Sequence, residues 1–450
     1  MEHAATPDRT ALLAGGERFT AGDLWSDVLV DMAWLHTAGV APGDRVAVWL
    51  PSGVAYVRMV FAMARMGVTL VALNTRLTAE EAAYQVAASG AKAVVHAGDL
   101  PEGFSTQARL LDRRDALPVN TAKRIEMLPF DLNRTQAIMF SSGTTGRPKA
   151  IPITFGQHMH SAMASAWRLG VLPDDQWLAC MPLYHVGGQA ILFRAVLYGI
   201  AVNLHPRFDV EAVSRAIDEE GVTLVSLVPT MLHRLLDYRA DRAFPPSLRL
   251  VLLGGAKAPA ALIERAAAVG LPVAATYGLT EACSQVATAT PAQVRAKPGT
   301  VGRPLVGTQV RIVDEHGADR KPGEVGEIAV QGPTVFGGYL DNPQATARTL
   351  RAGWLHTGDL GYLDSAGDLW VVTRRTDLIV SGGENIYPAE VEAVLAAHPG
   401  VEAAVVVGVA DAEWGQRPAA AVIRRNTSLT AEDLLAHARE SLAGYKVPRH

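Results

Sequence analysis

The sequence predicts an α/β fold: a large N-terminal domain of two layered α/β units plus a small antiparallel β unit, then a small α+β domain. Three features carry this. Helix-period and strand-period apolar patterns alternate from 20 to 100 and again from 171 to 290, the rhythm of a mostly parallel sheet with helices on both faces. After about 290 the texture changes to short alternating strands rich in Gly and Pro. A second break falls at VVTRRTDLIVSGGENIYPAEVEAVL. The N-terminal domain is therefore set at 1–373, with its β-rich part at about 290–373, and the C-terminal domain at 374–450.

The elements follow in order. AGDLWSDVLVDMAWLHTAGV has apolar positions at helical spacing and stops at Gly39. RVAVWL is a β-rich run closed by Pro51, VAYVRMVFAMARMG a helix with a glycine stop at 67, and VTLVAL a strand. TAEEAAYQVAASG opens as a helix on a threonine cap, and AKAVVHA is a strand. In the second stretch AVNLH, VTLVSLVP, LRLVLLGG and PVAATYG read as strands. Past the second break, VEAAVVVGV, PAAAVI and TAEDLLAHARESL give the α+β pattern.

Composition excludes several classes. With 450 residues, 49% of them apolar and 19% charged, the chain can bury a large core and is not disordered. A formal net charge of −4 gives no bulk attraction for nucleic acid. Two cysteines, Cys180 and Cys283, build no disulfide framework, and a reducing, cytoplasmic setting fits. The N-terminus MEHAATPDRTALL has no apolar core of a signal peptide. Stretches such as AILFRAVLYGIAVNLH are interrupted well short of the ~20 residues a membrane span needs.

The chemistry starts at SSGTTGRPK, residues 141–149. The strand-like AIMF precedes it, and a helical pattern follows after Phe155. Hydroxyls, glycine N–H groups and a lysine packed this densely suit phosphate oxygens, although the spacing is not GxxxxGK[ST]. Further along stand PLYHVGG, LLGGAKAP, ATYGLTEACS, VGRPL, GWLHTGDLGYLD and RRTDLIVSGGENIYPAEVE. In this order they resemble the adenylate-forming superfamily of acyl-CoA synthetases, adenylation domains and luciferases, from about residue 40 onward.

The resemblance implies ATP, Mg²⁺ and coenzyme A as reactants. It implies a triphosphate loop formed by Ser141, Ser142, Gly143, Thr144, Thr145, Gly146 and Lys149. It places adenine against Tyr277 and Gly278 and along Gly254, Gly255 and Ala256, with Gly255 also bordering the acyl pocket. Thr280 is implied at the α-phosphate, Glu281 at Mg²⁺, Asp359 and Arg374 at the ribose, and His185 at the gate of the acyl site. A mobile C-terminal domain would pivot near Arg375 to Asp377 and bring Gly382 and Gly383 to a tunnel for the thiol. The superfamily also has a lysine beyond its YKVPR element. This sequence ends at AGYKVPRH, so Lys446 is not expected to take that role, and the C-terminal domain is expected to be incomplete here. A homo-oligomer is implied by family habit.

LNTRLT, TFGQHMHSA, LHPRFD and TYGLTEACSQV are similar to the 2-succinylbenzoate–CoA ligases of menaquinone biosynthesis within that superfamily. Such an acid carries a second carboxylate on its ring. Arg194, in an apolar segment after His185, is the candidate partner, with Ser284 and Gln285 as polar neighbours. The alternative for Arg194 is a stem packed on a helix with its head at the surface. His158 and His160 read as a packing pair rather than a metal site, and Cys283 as packing rather than a nucleophile. Alternatives in function are another aryl- or medium-chain acyl-CoA ligase, a carrier-loading adenylation domain, or an impaired adenylate-binding protein.

Overall fold

The computed structural model describes residues 6–115, 130–142, 148–240, 242–373, 378–425 and 429–450. The first unit is a six-stranded sheet in the order Arg109–Asp112, Ala93–His96, Arg45–Trp49, Thr69–Ala72, Thr135–Ser142 and Pro148–Thr154. All neighbours are parallel except the last pair. Strand Arg45–Trp49 is buried along nearly its whole length, so it reads as a continuous apolar run and not as alternation. Helix Val54–Met66 ends where Gly67 turns left-handed at φ +71, a conformation glycine adopts without steric cost. Helix Ala79–Ser89 opens on a reciprocal capping box between Thr78 and Glu81.

One expectation changes here. The glycine-rich loop after Ser142 does not run straight into a helix. It joins Thr135–Ser142 to a second strand, Pro148–Thr154, with Ser141 opposite Lys149. Pro148 and Pro152 are tolerated because this strand lies at the sheet edge. The helix begins at Phe155, where Thr154 and Gln157 cap it.

The second unit is an eight-stranded sheet in the order Ser284–Ala289, Val273–Leu279, Leu250–Leu253, Leu224–Leu227, Gln176–Ala179, Ala201–Leu204, Thr10–Ala14 and Glu17–Thr20. The six inner strands are parallel and the two outer ones antiparallel. One core runs between the two units, from Val46, Leu70 and Met139 through Met59 and Met63 to Trp177 and Val202. Burying each such side chain contributes about 1.5–3 kcal/mol, which locks the two sheets together.

The third unit is antiparallel, as the texture after 290 predicts. Gln309–Val313, Gly326–Gln331 and Trp354–Leu363 follow one another, and Leu350–Arg351 and Leu369–Thr373 pair with the last. The C-terminal part has a four-stranded antiparallel sheet, Glu384–Ile386, Ile379–Ser381, Gly415–Arg424 and Val401–Asp411. Helices Pro388–Ala397 and Ala431–Ser441 complete it, and Ile379, Ile386, Val391, Leu395 and Leu434 give it a core of its own. No helix among the described residues is long and apolar enough to cross a membrane.

Candidate active site

The carboxyl ends of the parallel strands in the eight-stranded sheet open onto a cavity of about 720 Å³, where open α/β sheets place their ligands. Cys180 and Met181 line it after one strand, Pro206 to Phe208 after the next, and Gly254 and Gly255 after a third. Ser141, His185, Arg194, Gly278, Thr280, Glu281, Ser284, Gln285 and Asp359 line it too. The C-terminal part closes the cavity with Gly382, Gly383 and Glu384. Ala256 lies instead beside Tyr277 on a smaller neighbouring cavity of about 40 Å³. Gly143, Thr144, Thr145, Gly146 and Arg374 lie outside the described residues. Of Ser142 only the backbone is described, paired with Pro148 at the end of its strand.

The segment YGLTEACS owes its shape to one glycine and two strained residues. A Cβ on Gly278 would stand 1.5 Å from the Ser284 carbonyl oxygen, so only glycine lets the edge strand come this close. A bulge interrupts the pairing at Tyr277 and Gly278, and bulges re-aim side chains. Thr280–Ala282 forms a single 3₁₀ turn, after which Cys283 and Ser284 take φ of +49° and +92°. Strain of this kind persists only where the surroundings hold it. Here it reverses the chain so that Glu281 and Ser284 line the same cavity.

Tyr277 is 1% exposed and its hydroxyl donates to Asp359 Oδ2 at 2.7 Å. Glu281 Oε1 accepts from the Tyr339 hydroxyl at 3.0 Å and from Ser141 Oγ at 3.5 Å. The Lys149 ammonium sits 4.9 Å from the Tyr339 ring centre. A buried carboxylate with hydroxyl neighbours fits Mg²⁺, which takes one or two carboxylates together with substrate phosphates and water. Among the described residues no group of three His, Cys, Asp or Glu could hold a metal alone.

Arg194 does not reach the surface. It is 2% exposed, inside helix Val186–Tyr198. Its Nη2 donates to Ser284 Oγ at 3.3 Å and Ser161 Oγ at 3.5 Å, and its guanidinium lies 5.6 Å from the Trp177 ring centre. Its Nε has no hydrogen-bond partner, and among the described residues no carboxylate pairs with it. Burial pulls its pKa below the usual arginine value. Beside it, His158 stacks on Phe193 at 4.1 Å and its Nε2 meets Gln136 Oε1 at 3.0 Å. Burial, reinforced by Arg194, pushes the His158 pKa down to about 3. Burial pushes the Cys283 thiol up to about 12, which disfavours its thiolate.

His185 caps the same helix and meets Glu384 Oε2 at 3.0 Å. Glu384 also accepts from Tyr184 Oη at 3.0 Å and Asn74 Nδ2 at 3.2 Å, and Arg76 approaches at 3.4 Å. Burial alone would raise the Glu384 carboxyl, yet His185, Arg76 and Tyr184 together hold it below the ordinary glutamate value. Glu384, Tyr184 and Tyr339 escape the sequence reading. The signals present were their positions inside SGGENIYP and PLYH and the aromatic in FGGYLDNP.

A model of the AMP-binding enzyme family matches residues 1–340, and one of its C-terminal domain matches 390–450. The chain belongs to the AMP-binding enzyme family. Among curated relatives, the 2-succinylbenzoate–CoA ligase of Bacillus mycoides is 41% identical over 445 residues, 99% of this chain and 91% of that protein. That of Bacillus licheniformis is 42% identical, over 99% of this chain and 92% of the relative. Among solved structures, a double mutant of the Bacillus subtilis o-succinylbenzoate CoA synthetase bound with its product analogue OSB-NCoA matches with a TM-score of 0.93. It is 38% identical and covers 100% of this chain and 92% of its own. The same enzyme in complex with the acyl-adenylate OSB-AMP also covers 100% and 92% at 38% identity, but the TM-score is 0.79. This chain therefore superimposes more closely on the product-analogue complex than on the acyl-adenylate complex.

Proposed function

We propose that this chain is an ATP-dependent acid–thiol ligase that converts 2-succinylbenzoate to its CoA thioester through an acyl-adenylate, in menaquinone biosynthesis. The observation that carries the choice of acid is Arg194, a cation 2% exposed on the wall of the cavity, with no carboxylate partner among the described residues. A buried charge is stable only when paired. A ring carboxylate supplies the missing partner, and a fatty acid does not.

In the first step a substrate carboxylate oxygen bonds to the α-phosphorus of ATP and pyrophosphate leaves. Anion meets anion, so the site must neutralise charge and hold the reactants in line. Lys149 and the hydroxyls of Ser141, Thr144, Thr145 and Thr280 take that role, and Glu281 would hold Mg²⁺, which supplies further neutralisation. Tyr277, Gly254, Gly255 and Ala256 hold adenine, and Asp359 and Arg374 hold the ribose. In the second step the CoA sulfur attacks the acyl carbon and AMP leaves. Gly382 and Gly383, with φ of +58° and +89°, form a wall without side chains along the thiol path. The reading divides the chain into domains 1–373 and 374–450, the second able to pivot. A cytoplasmic location and a homo-oligomer accompany it.

Calorimetric binding of acyl-sulfamoyl-adenosines with 2-succinylbenzoyl, benzoyl and octanoyl groups tests the proposal. The 2-succinylbenzoyl analogue should bind most tightly. Arg194→Ala should weaken it by about 1.5–3 kcal/mol, roughly 10- to 150-fold, and leave the benzoyl analogue nearly unchanged. Equal losses for both would remove Arg194 from substrate recognition.

A further inference from the structure

Lys446 is buried at the seam between the C-terminal part and the rest of the chain, and the reaction as described does not use it. Its ammonium donates to Glu81 Oε1 at 2.6 Å and Glu390 Oε1 at 2.7 Å, and it is 2% exposed. Glu390 belongs to the C-terminal helix Pro388–Ala397. Glu81 belongs to the first turn of helix Ala79–Ser89, in the first α/β unit. The same Glu81 carboxylate also takes the Ala443 backbone N–H at 3.1 Å on Oε2, the oxygen that closes the Thr78 capping box. Around this point the tail docks in register. Thr78 Oγ1 donates to the Ser441 carbonyl at 3.5 Å, Asn74 Nδ2 approaches Tyr445 Oη at 3.4 Å, and the Arg76 guanidinium lies 4.7 Å from the Tyr445 ring centre. Asn74 and Arg76 also hold Glu384, next to the Gly382–Gly383 wall.

We infer that Lys446 is a positioning residue for thioester formation: its bridge from Glu390 to Glu81 latches the C-terminal part in the arrangement that sets Gly382 and Gly383 against the cavity. The Glu390 half of the bridge lies within the C-terminal part and travels with it. The Glu81 half exists only while that part sits as it does here. Charge-assisted contacts of this kind are stronger than neutral ones, and a contact present in one arrangement alone shifts the balance toward it. The latch thus favours the arrangement seen here, in which the chain superimposes more closely on the product-analogue complex than on the adenylate complex.

The inference rests on the proposed two-step reaction for its readout, and a wild-type control separates the two. Wild-type protein is first given a panel of synthetic acyl-adenylates with CoA, and single-turnover thioester formation is followed with whichever adenylate it accepts. Acceptance of a different acyl group corrects the substrate but leaves the latch testable. Glu81→Gln keeps the capping box, which glutamine also satisfies, and removes the charge facing Lys446. It should slow thioester formation about tenfold, while affinity for the matching acyl-sulfamoyl-adenosine stays within about twofold, because Glu81 is not among the residues lining the cavity. Lys446→Met should slow the same step at least as much, and the double variant should be no slower than Lys446→Met, as expected for one shared interaction. If Lys446→Met disrupts the C-terminal core, Glu81→Gln carries the test alone, since Glu81 lies outside that core. A wild-type thioester rate in Glu81→Gln overturns the latch, as does an equal loss of analogue affinity or additive losses in the double variant.

Discussion

Arg194 and Lys446 are both cations with 2% of their surface exposed, and the protein treats them in opposite ways. Lys446 stands between two carboxylates at 2.6 and 2.7 Å. Burial pulls its ammonium down, and Glu390 and Glu81 more than reverse the effect, so its pKa is raised. Arg194 has two serine hydroxyls at 3.3 and 3.5 Å and the face of a tryptophan. Among the described residues no carboxylate offsets its burial, and its pKa is lowered. The pair shows how a buried charge reveals its purpose: one satisfied by the chain joins parts of the chain, and one left unsatisfied on a cavity wall is kept for a ligand.

The comparison breaks most visibly if Lys446 proves dispensable for folding. Lys446→Met leaves Glu81 and Glu390 buried near each other, with Glu390 Oε2 already lacking a hydrogen-bond partner. Removing one member of a buried charged cluster costs about 3–5 kcal/mol, and the loss should fall on unfolding of the C-terminal core. Denaturation followed by Trp414 fluorescence, together with protease sensitivity of residues 378–450, checks this. A change under about 1 kcal/mol would mean water or rearrangement already solvates the cluster.

A smaller effect comes from the histidine beside the unpaired arginine. His158 is held neutral, its pKa lowered from 6.5 to about 3 by burial and by Arg194. The unfolded chain takes up a proton below pH 6.5 and the folded chain does not until near pH 3. Stability is therefore full above pH 6.5 and is lost as the pH falls through that window. The loss should amount to about 2 kcal/mol between pH 6.5 and 5, measured by urea unfolding of the N-terminal core. In His158→Asn, which has no titrating ring, the acid-dependent loss over this range should shrink by that amount. An unchanged slope would show that His158 is protonated in the fold, contrary to its stacking on Phe193 and its neighbour Arg194.

Local chemistry made much of this legible in the sequence. Thr78 as a helix cap, Gly67 as a helix stop and Arg45–Trp49 as a strand all follow from rules that act within a few residues. The fold class was legible for the same reason. The hairpin Thr10–Thr20 was not, because it pairs Leu12 with Val202 of the second sheet, and no local pattern announces a partner so distant. Glu384 and Tyr339 were missed in the same way: each matters through residues brought to it from elsewhere, His185 in one case and Glu281 in the other. The burial of Arg194 lay between these extremes. An arginine in an apolar helix is visible in the sequence, but whether its head reaches water depends on where Trp177, Ser161 and Ser284 stand.

The smallest predicted effect is also the sharpest, because its sign is unusual. Arg194→Met removes a large side chain from a packed site, a change that ordinarily destabilises. Here it also removes a buried charge that has no counter-ion among the described residues, and apolar replacement of buried ionic groups can be neutral or stabilising. Methionine is flexible enough to fill the space against Trp177. The substrate-free protein should therefore become more stable by about 1 kcal/mol, while affinity for the 2-succinylbenzoyl analogue falls. The gain should vanish when the two proteins are compared in saturating analogue, since only wild type then has its charge paired. Thermal unfolding of both proteins, with and without the analogue, reads all four values. A loss of stability in the free variant would mean that the serine hydroxyls and the Trp177 face already satisfy Arg194, and the contrast with Lys446 would then be one of degree rather than kind.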